Sequence, residues 1–176
     1  MIRQVAVDDA LRICEIYNYY VESTVITFEE KQVEITEMQD RIRSISATFP
    51  WLVYVRDDCI IGYSYASRWK SRCSYRYSVE STVYVSTDSL GTGIGTELYS
   101  ALIEKLRRLG FHSVIGGIAL PNPASIAMHE KLGFEKVAHF KEVGYKMNSW
   151  IDVGYWELIL QVDKQGDSQD DEKRRR

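Results

Sequence analysis

Apolar and polar positions along the chain follow two alternating periods. An apolar triplet, Val5-Ala6-Val7, reads as a short strand. Ile13, Ile16, Tyr17 and Tyr20 then recur at three- and four-residue spacing. That spacing gathers them on one side of a helix reaching about Val21, with Asp8 or Asp9 placed to cap its start. Ile35, Met38, Ile42 and Ile45 repeat the pattern and predict a second amphipathic helix over 34–47. Residues 51–69 read as two strands around an Asp57-Asp58 turn. From Tyr75 the period changes to two. Tyr75, Tyr77, Val79, Val83 and Val85 are apolar, whereas Arg76, Ser78, Glu80 and Thr82 are polar, as in a strand with two unlike faces. A glycine turn follows, then a helix carrying Ile94, Leu98, Leu102 and Leu106. Residues 112–120 read as a strand and 123–134 as a short helix ended by Gly133. Residues 135–140 and 154–161 read as late strands. Strands and helices alternate with hairpins near the middle, which predicts an α/β fold with a mixed sheet and helices on both faces.

The 176 residues, 45% hydrophobic, fit one domain, expected over 1–162. The remaining 163–176 contain no apolar residue and predict a disordered, charged tail. A net charge of −3 argues against nucleic acid as a partner. Cys14, Cys59 and Cys73 are an odd number without metal-like spacing, so a reduced, cytoplasmic protein with no metal site is expected. The first residues carry acids and no long apolar run. Neither a signal peptide nor a membrane-spanning stretch is expected.

The turn is the most informative segment. Gly91, Gly93 and Gly95 stand at alternate positions between a strand and a long helix. Glycine permits a tight turn and leaves no side chain between the backbone amides and a ligand. The helix that starts there offers unpaired amides and the positive end of its dipole, a site suited to phosphate or pyrophosphate. A dinucleotide-binding turn would place a third glycine where Thr96 stands, with an acid about 20 residues on, and a P-loop would need Gly-Lys-Ser/Thr. The chain has neither pattern.

The segment resembles motif A of the GNAT acyltransferase superfamily, Q/R-x-x-G-x-G/A, with Gly93 and Gly95 matching its glycines and Leu90 standing where Gln or Arg is usual. A second match, about 30 residues on, is Asn122 to Phe134, similar to the family's N-x-x-A/S…Y-E-K-x-G-F segment, with His129 in the usual tyrosine's place. Residues 1 to about 160 resemble the phosphinothricin N-acetyltransferase group, including its methionine sulfoximine acetyltransferases, most closely in "FPWLV", "RWKSRCSYRYSVESTVYVS", "MHEKLGF" and "SWIDVGYWEL". The resemblance implies the GNAT fold: a twisted, mostly antiparallel sheet whose splayed strand pair holds acetyl-CoA. It implies a homodimer that acetylates the α-amino group of a small glutamate-like amino acid.

It also implies roles for particular residues. Glu80 matches the catalytic glutamate, the base that frees an amine lone pair. His129 is the candidate to protonate the leaving thiolate or to relay the amine proton. The amides of Val83, Tyr84 and Val85 would face the acetyl carbonyl. Those of Gly91, Thr92, Gly93, Ile94, Gly95 and Thr96 would hold the pyrophosphate, and Asn122 the pantetheine arm. Phe28, Arg72 and Tyr75 match substrate-pocket positions. Lys70 is a further candidate there, since cations can grip a carboxylate or phosphinate. Trp51, Tyr63, Tyr65 and Trp69 are expected in the core or at a dimer surface. Two alternatives stay open: another amine as acceptor (a different amino acid, an antibiotic or a protein N-terminus), and a non-catalytic acyl-CoA-binding module.

Overall fold

The computed structural model describes residues 1–160; the expected charged tail lies outside the described residues. Seven strands form one sheet: β1 (Ile2–Gln4), β2 (Trp51–Arg56), β3 (Cys59–Arg68), β4 (Ser78–Val85), β5 (Ser113–Leu120), β6 (Glu135–Lys146) and β7 (Ser149–Ile159). Their order is β1-β2-β3-β4-β5-β7-β6. Every neighbouring pair is antiparallel except β4 and β5, which run parallel. A parallel pair needs a crossover, and the helix after the glycine turn supplies it.

The helices are α1 (Ala10–Ser23), α2 (Ile35–Ser46), α3 (Ile94–Arg108) and α4 (Pro123–Lys131). The apolar stripe of α3, with Leu98, Leu102 and Leu106 all fully buried, packs with Val79, Val85 and Val114 on one face of the sheet. The stripes of α1 and α2 pack on the other face against Trp51, Val53, Tyr63 and Tyr84. The two-faced reading of β4 is therefore physical. Its odd positions meet the α3 layer and Tyr84 meets the α1–α2 layer.

The first strand lies earlier than the Val5–Val7 triplet. Ile2–Gln4 pair with β2, and Val7–Asp9 form a 3-10 turn. Polar contacts decide this: Asp9 binds Arg3 through both carboxylate oxygens and accepts the Ala6 amide, which pulls the chain out of the sheet. Likewise Cys73–Tyr75 form a 3-10 turn, so β4 starts at Ser78, not Tyr75. The Asp57-Asp58 turn is present, with positive φ at both residues (48° and 59°). Trp51 and Tyr63 are buried core residues, as expected.

Candidate active site

β4 and β5 pair only at Ser78–Ser113, Val79–Val114 and Glu80–Ile115. Beyond Glu80 each strand keeps its other neighbour, β4 running on along β3 to Val85 and β5 along β7 to Leu120. Their divergence opens a wedge, and a cleft of about 540 Å³ begins there. Val83, Tyr84 and Val85 form one wall, and Asn122, Ser125 and Met128 of the α4 segment form the other. Gly91, Gly93, Ile94, Gly95 and Thr96 close its end. Of the cofactor residues expected from sequence, Thr92 alone does not line the cleft; its hydroxyl donates to the Ser89 carbonyl at 2.6 Å. The Asn122 side-chain oxygen caps α4 by accepting the Ser125 amide at 3.1 Å. Lys131, which the sequence reading passed over, adds a cation to the same cleft.

The glycine turn is explained by backbone conformation. Gly91 and Gly93 have φ of 73° and 89°, a region that side chains disfavour. A methyl group on either would meet nothing within 4 Å, so packing does not demand glycine there. The first internal bond of α3 runs from Glu97 N to Gly93 O at 3.1 Å, leaving the amides of Ile94, Gly95 and Thr96 without a helix partner. Uncovered amides at the positive end of a helix dipole suit a diphosphate.

The floor of the wedge is set by two consecutive glycines of β5. A methyl on Gly116 would collide with the His129 ring; one on Gly117 would lie 3.6 Å from a Glu80 carboxylate oxygen and 3.2 Å from the Tyr155 ring. Successive strand residues point to opposite faces, so Glu80 and His129 stand on opposite sides of the sheet. Glu80 is half-buried, and desolvation raises its pKa while the Lys70 charge opposes the rise. His129 is buried. Its Nδ1 lies 2.8 Å from the Ser125 carbonyl, which only an Nδ1–H can satisfy. Nε2 then carries the lone pair and accepts from the Tyr99 hydroxyl at 3.0 Å. Burial lowers the His129 pKa, with the Ser125 bond opposing, so the ring is neutral at pH 7. The Tyr99 hydroxyl in turn meets Ser81 Oγ, which reaches the Ile115 carbonyl at 3.2 Å. Tyr99, Ser81 and His129 all line a small cavity of about 90 Å³ at the wedge. The sequence reading missed Ser81 and Tyr99, because only the fold brings them beside His129.

On the Glu80 face a second pocket, of about 380 Å³, is walled by Trp69, Ile115, Phe140, Val143 and Tyr155, with Lys70 and Glu157 as its polar members. The Lys70 ammonium lies 4.6 Å from the centroid of the Trp69 ring. Trp69 and Phe140 both meet the Tyr155 ring edge to face. Trp69 thus lines a cavity rather than the core. Of the expected substrate residues, Lys70 belongs to this pocket. Arg72 and Tyr75 are exposed on the turn ahead of β4, and Phe28 sits on the α1–α2 loop against Gly144 of β6. Tyr155 and Phe140 had no sequence signal, since strand register alone brings them here.

Residues 2–154 match the family described as acetyltransferase (GNAT) domain. The chain is 36% identical to phosphinothricin N-acetyltransferase of Streptomyces viridochromogenes over 161 residues, covering 92% of this chain and 88% of that one. It is 35% identical to the L-methionine sulfoximine/L-methionine sulfone acetyltransferase of Salmonella typhimurium, covering 86% and 90%. The crystal structure of a phosphinothricin acetyltransferase from Sinorhizobium meliloti in complex with AcCoA superposes with a TM-score of 0.89 at 35% identity, covering 91% of this chain and 88% of that one. The splayed sheet, the glycine turn and these matches agree: the chain belongs to the GNAT acetyltransferase family.

Proposed function

We propose that the protein transfers the acetyl group of acetyl-CoA to the α-amino group of a small glutamate-like amino acid, of the kind phosphinothricin and methionine sulfoximine represent, by direct attack in a ternary complex. One observation carries this reading: β4–β5 pairing ends at Glu80, so the residue able to take the amine proton stands at the apex of the wedge, beside Gly117 of the small cavity that continues along β4 toward the cofactor cleft. The amides of Ile94, Gly95 and Thr96 and the Lys131 ammonium would hold the diphosphate, and Asn122 the pantetheine arm.

An α-ammonium has no lone pair, and Glu80 in its half-dry position is the base that removes its proton. The amine nitrogen then bonds to the acetyl carbon while the carbon–sulfur bond breaks and the thiolate departs. Amides of Val83 to Val85 on the open edge of β4 are the donors for the oxyanion. On the opposite face, the departing thiolate would take the Tyr99 hydroxyl proton, and Tyr99 would be reprotonated from solvent through neutral His129 and Ser81, the proposed relay at the sulfur end. Lys70 would meet the acceptor's acidic head beside Glu80, with Arg72, Tyr75 and Phe28 completing the grip.

A second acceptor class has its own support. The pocket beside Glu80 is mainly aromatic and aliphatic, which favours amino acids with neutral, apolar side chains. A third reading, a non-catalytic acyl-CoA-binding module, draws on exposed Leu90, which offers no side-chain donor at the turn.

The deciding experiment is thiol release from acetyl-CoA with phosphinothricin, methionine sulfoximine, methionine, leucine and glutamate. Turnover of the first two above the rest supports the leading reading. Preference for leucine or methionine supports the second. Tight acetyl-CoA binding with no turnover supports the third. We place the protein in the cytoplasm as a homodimer. For the dimer, the support is the exposed apolar surface of β6 and β7, where Val143 and Trp150 are 58% and 63% exposed.

A further inference from the structure

We propose that Lys146 is a positioning residue for the acceptor: its ammonium pins the Thr27 carbonyl and thereby sets where Ile26 stands in the cleft and where Phe28 stands against β6, next to Val143 of the pocket beside Glu80. The proposal rests on the acetyltransferase reading above. Lys146 is the last residue of β6, and Thr27 lies on the loop joining α1 to α2. They are 119 residues apart in sequence, yet Nζ donates to the Thr27 oxygen at 2.8 Å.

The loop carries the residues that matter. Ile26 lines both the cofactor cleft and the small cavity at the wedge, beside Val83, Tyr84 and Asn122. Phe28 packs against β6, where any side chain at Gly144 would collide with its ring. Thr27 sits between them, so what holds Thr27 holds both. Other ties of this loop run to its own flanking helices and, through Thr27, to Tyr84 of β4. Tyr17 meets the Thr27 hydroxyl at 2.8 Å, Asn18 exchanges two bonds with Val33, and Arg41 pairs with Glu29 at 2.8 Å. These fix the loop to α1 and α2 but not to the distant arm of the sheet. Gly144 and Lys146 share one face of β6, since they are two residues apart. Together they join the loop to that arm, one by shape and one by charge.

An ammonium is a costly way to fill space. Lys146 is 4% exposed, and a buried cation facing a neutral carbonyl gives up hydration that one hydrogen bond does not restore. Its pKa is lowered by desolvation, with Glu30 and Glu29 partly offsetting. Methionine would occupy a similar volume without that cost. If Lys146 only packed, Lys146→Met would be neutral or stabilising. If it positions the loop, the same change frees Thr27.

The test uses the full chain. Lys146→Met is expected to raise the acceptor KM tenfold or more, to raise the acetyl-CoA Kd by a much smaller factor, through Ile26 alone, and to keep the protein folded. Amide exchange over residues 24–33 should quicken at the same time. An unchanged acceptor KM with unchanged exchange in that segment overturns the proposal. Equal losses in acceptor and acetyl-CoA binding also overturn it, because they mark a general structural role. Should Lys146→Met fail to fold, Gly144→Ala, which lifts Phe28 without touching the ammonium, must show the same selective rise in acceptor KM. Should the wild-type chain acetylate no amine, the activity reading fails by itself. The latch is then judged on exchange alone, which must quicken in Lys146→Met for it to stand.

Discussion

Glu80 and His129 flank the same step of β5 without sharing a side of it: the space over Gly117 holds the Glu80 carboxylate, and the space over Gly116 holds the His129 ring. The two groups proposed for proton transfer, one for the amine and one for the sulfur, are thereby kept apart by one strand. Bare glycine lets the His129 ring approach the backbone at 116 and the Tyr155 ring at 117.

Glu80→Gln removes the proposed base and keeps the shape. Turnover at pH 7 is expected to fall about 10²- to 10³-fold, within the range for general-base removal, while acetyl-CoA binding is unchanged. Alkaline pH should narrow the gap, because more amine is then already neutral. Thiol-release rates at pH 7 and pH 9, with calorimetric binding of acetyl-CoA, check this. A variant as active as the parent would remove Glu80 from the mechanism.

The same residue links activity to stability. Desolvation holds the folded-state pKa of Glu80 above its unfolded value. The native state therefore binds this proton more tightly than the unfolded chain does. It loses stability as pH rises from the usual carboxylate range through the raised value. Glu80→Gln should thus melt higher than the parent at pH 7 and no higher at pH 4. In the parent, the acid limb of kcat/KM should lie above the usual carboxylate range. Melting curves and pH–rate profiles report both.

The paired glycines predict contrasting lesions. In Gly116→Ala the methyl overlaps the buried His129 ring, which is fixed by Tyr99 and Ser125. Overpacking of this kind costs about 1–3 kcal/mol, so urea denaturation should shift clearly. In Gly117→Ala the methyl would lie 3.2 Å from Tyr155 and 3.6 Å from Glu80 on the more open side. Stability should change less, and the acceptor KM more.

Gly93→Ala tests the anion cradle. The φ of 89° disfavours alanine, at about 1–2 kcal/mol for a left-handed residue. The methyl itself meets no protein atom within 4 Å. It would stand where a diphosphate approaches, so acetyl-CoA affinity should fall more than the folding cost alone explains. Titration of the folded variant measures this. Unchanged affinity would move the diphosphate elsewhere.

A charge on the exposed arm tests the dimer. Trp150→Glu should shift the sedimenting species to one chain's mass if β6 and β7 form the contact.

Local signals carried the fold furthest where one period ran uninterrupted. α1, α2 and α3 are amphipathic along their length, and the observed ends of α1 and α2 fall close to those expected. The long β6–β7 arm was harder to see. The expected strands were 135–140 and 154–161; the observed ones are Glu135–Lys146 and Ser149–Ile159. Register shifts between Phe140 and Gly144, where the Asp152 carboxylate accepts the Glu142 amide, so apolar–polar alternation breaks there. The arm then turns at Met147-Asn148, both with positive φ but without the glycine that usually marks such a hairpin. The cofactor cleft was legible because its residues lie in two short stretches. Of the proposed acceptor side only Lys70 was legible, because Tyr155, Phe140 and Lys146 come from strands whose register no local pattern specifies.

The seam between β4 and β5 has a mechanical meaning. Ser78, Val79 and Glu80 are the only β4 residues that pair with β5. The β1–β4 and β5–β7 halves of the sheet are therefore stitched at one end and open at the other, like two boards on a short hinge. A molecule lodged in the opening contacts both boards and takes over the bracing that the missing ladder would have given. Binding and rigidity are then one event: amides on the facing edges of both halves should slow their hydrogen exchange together when acetyl-CoA enters.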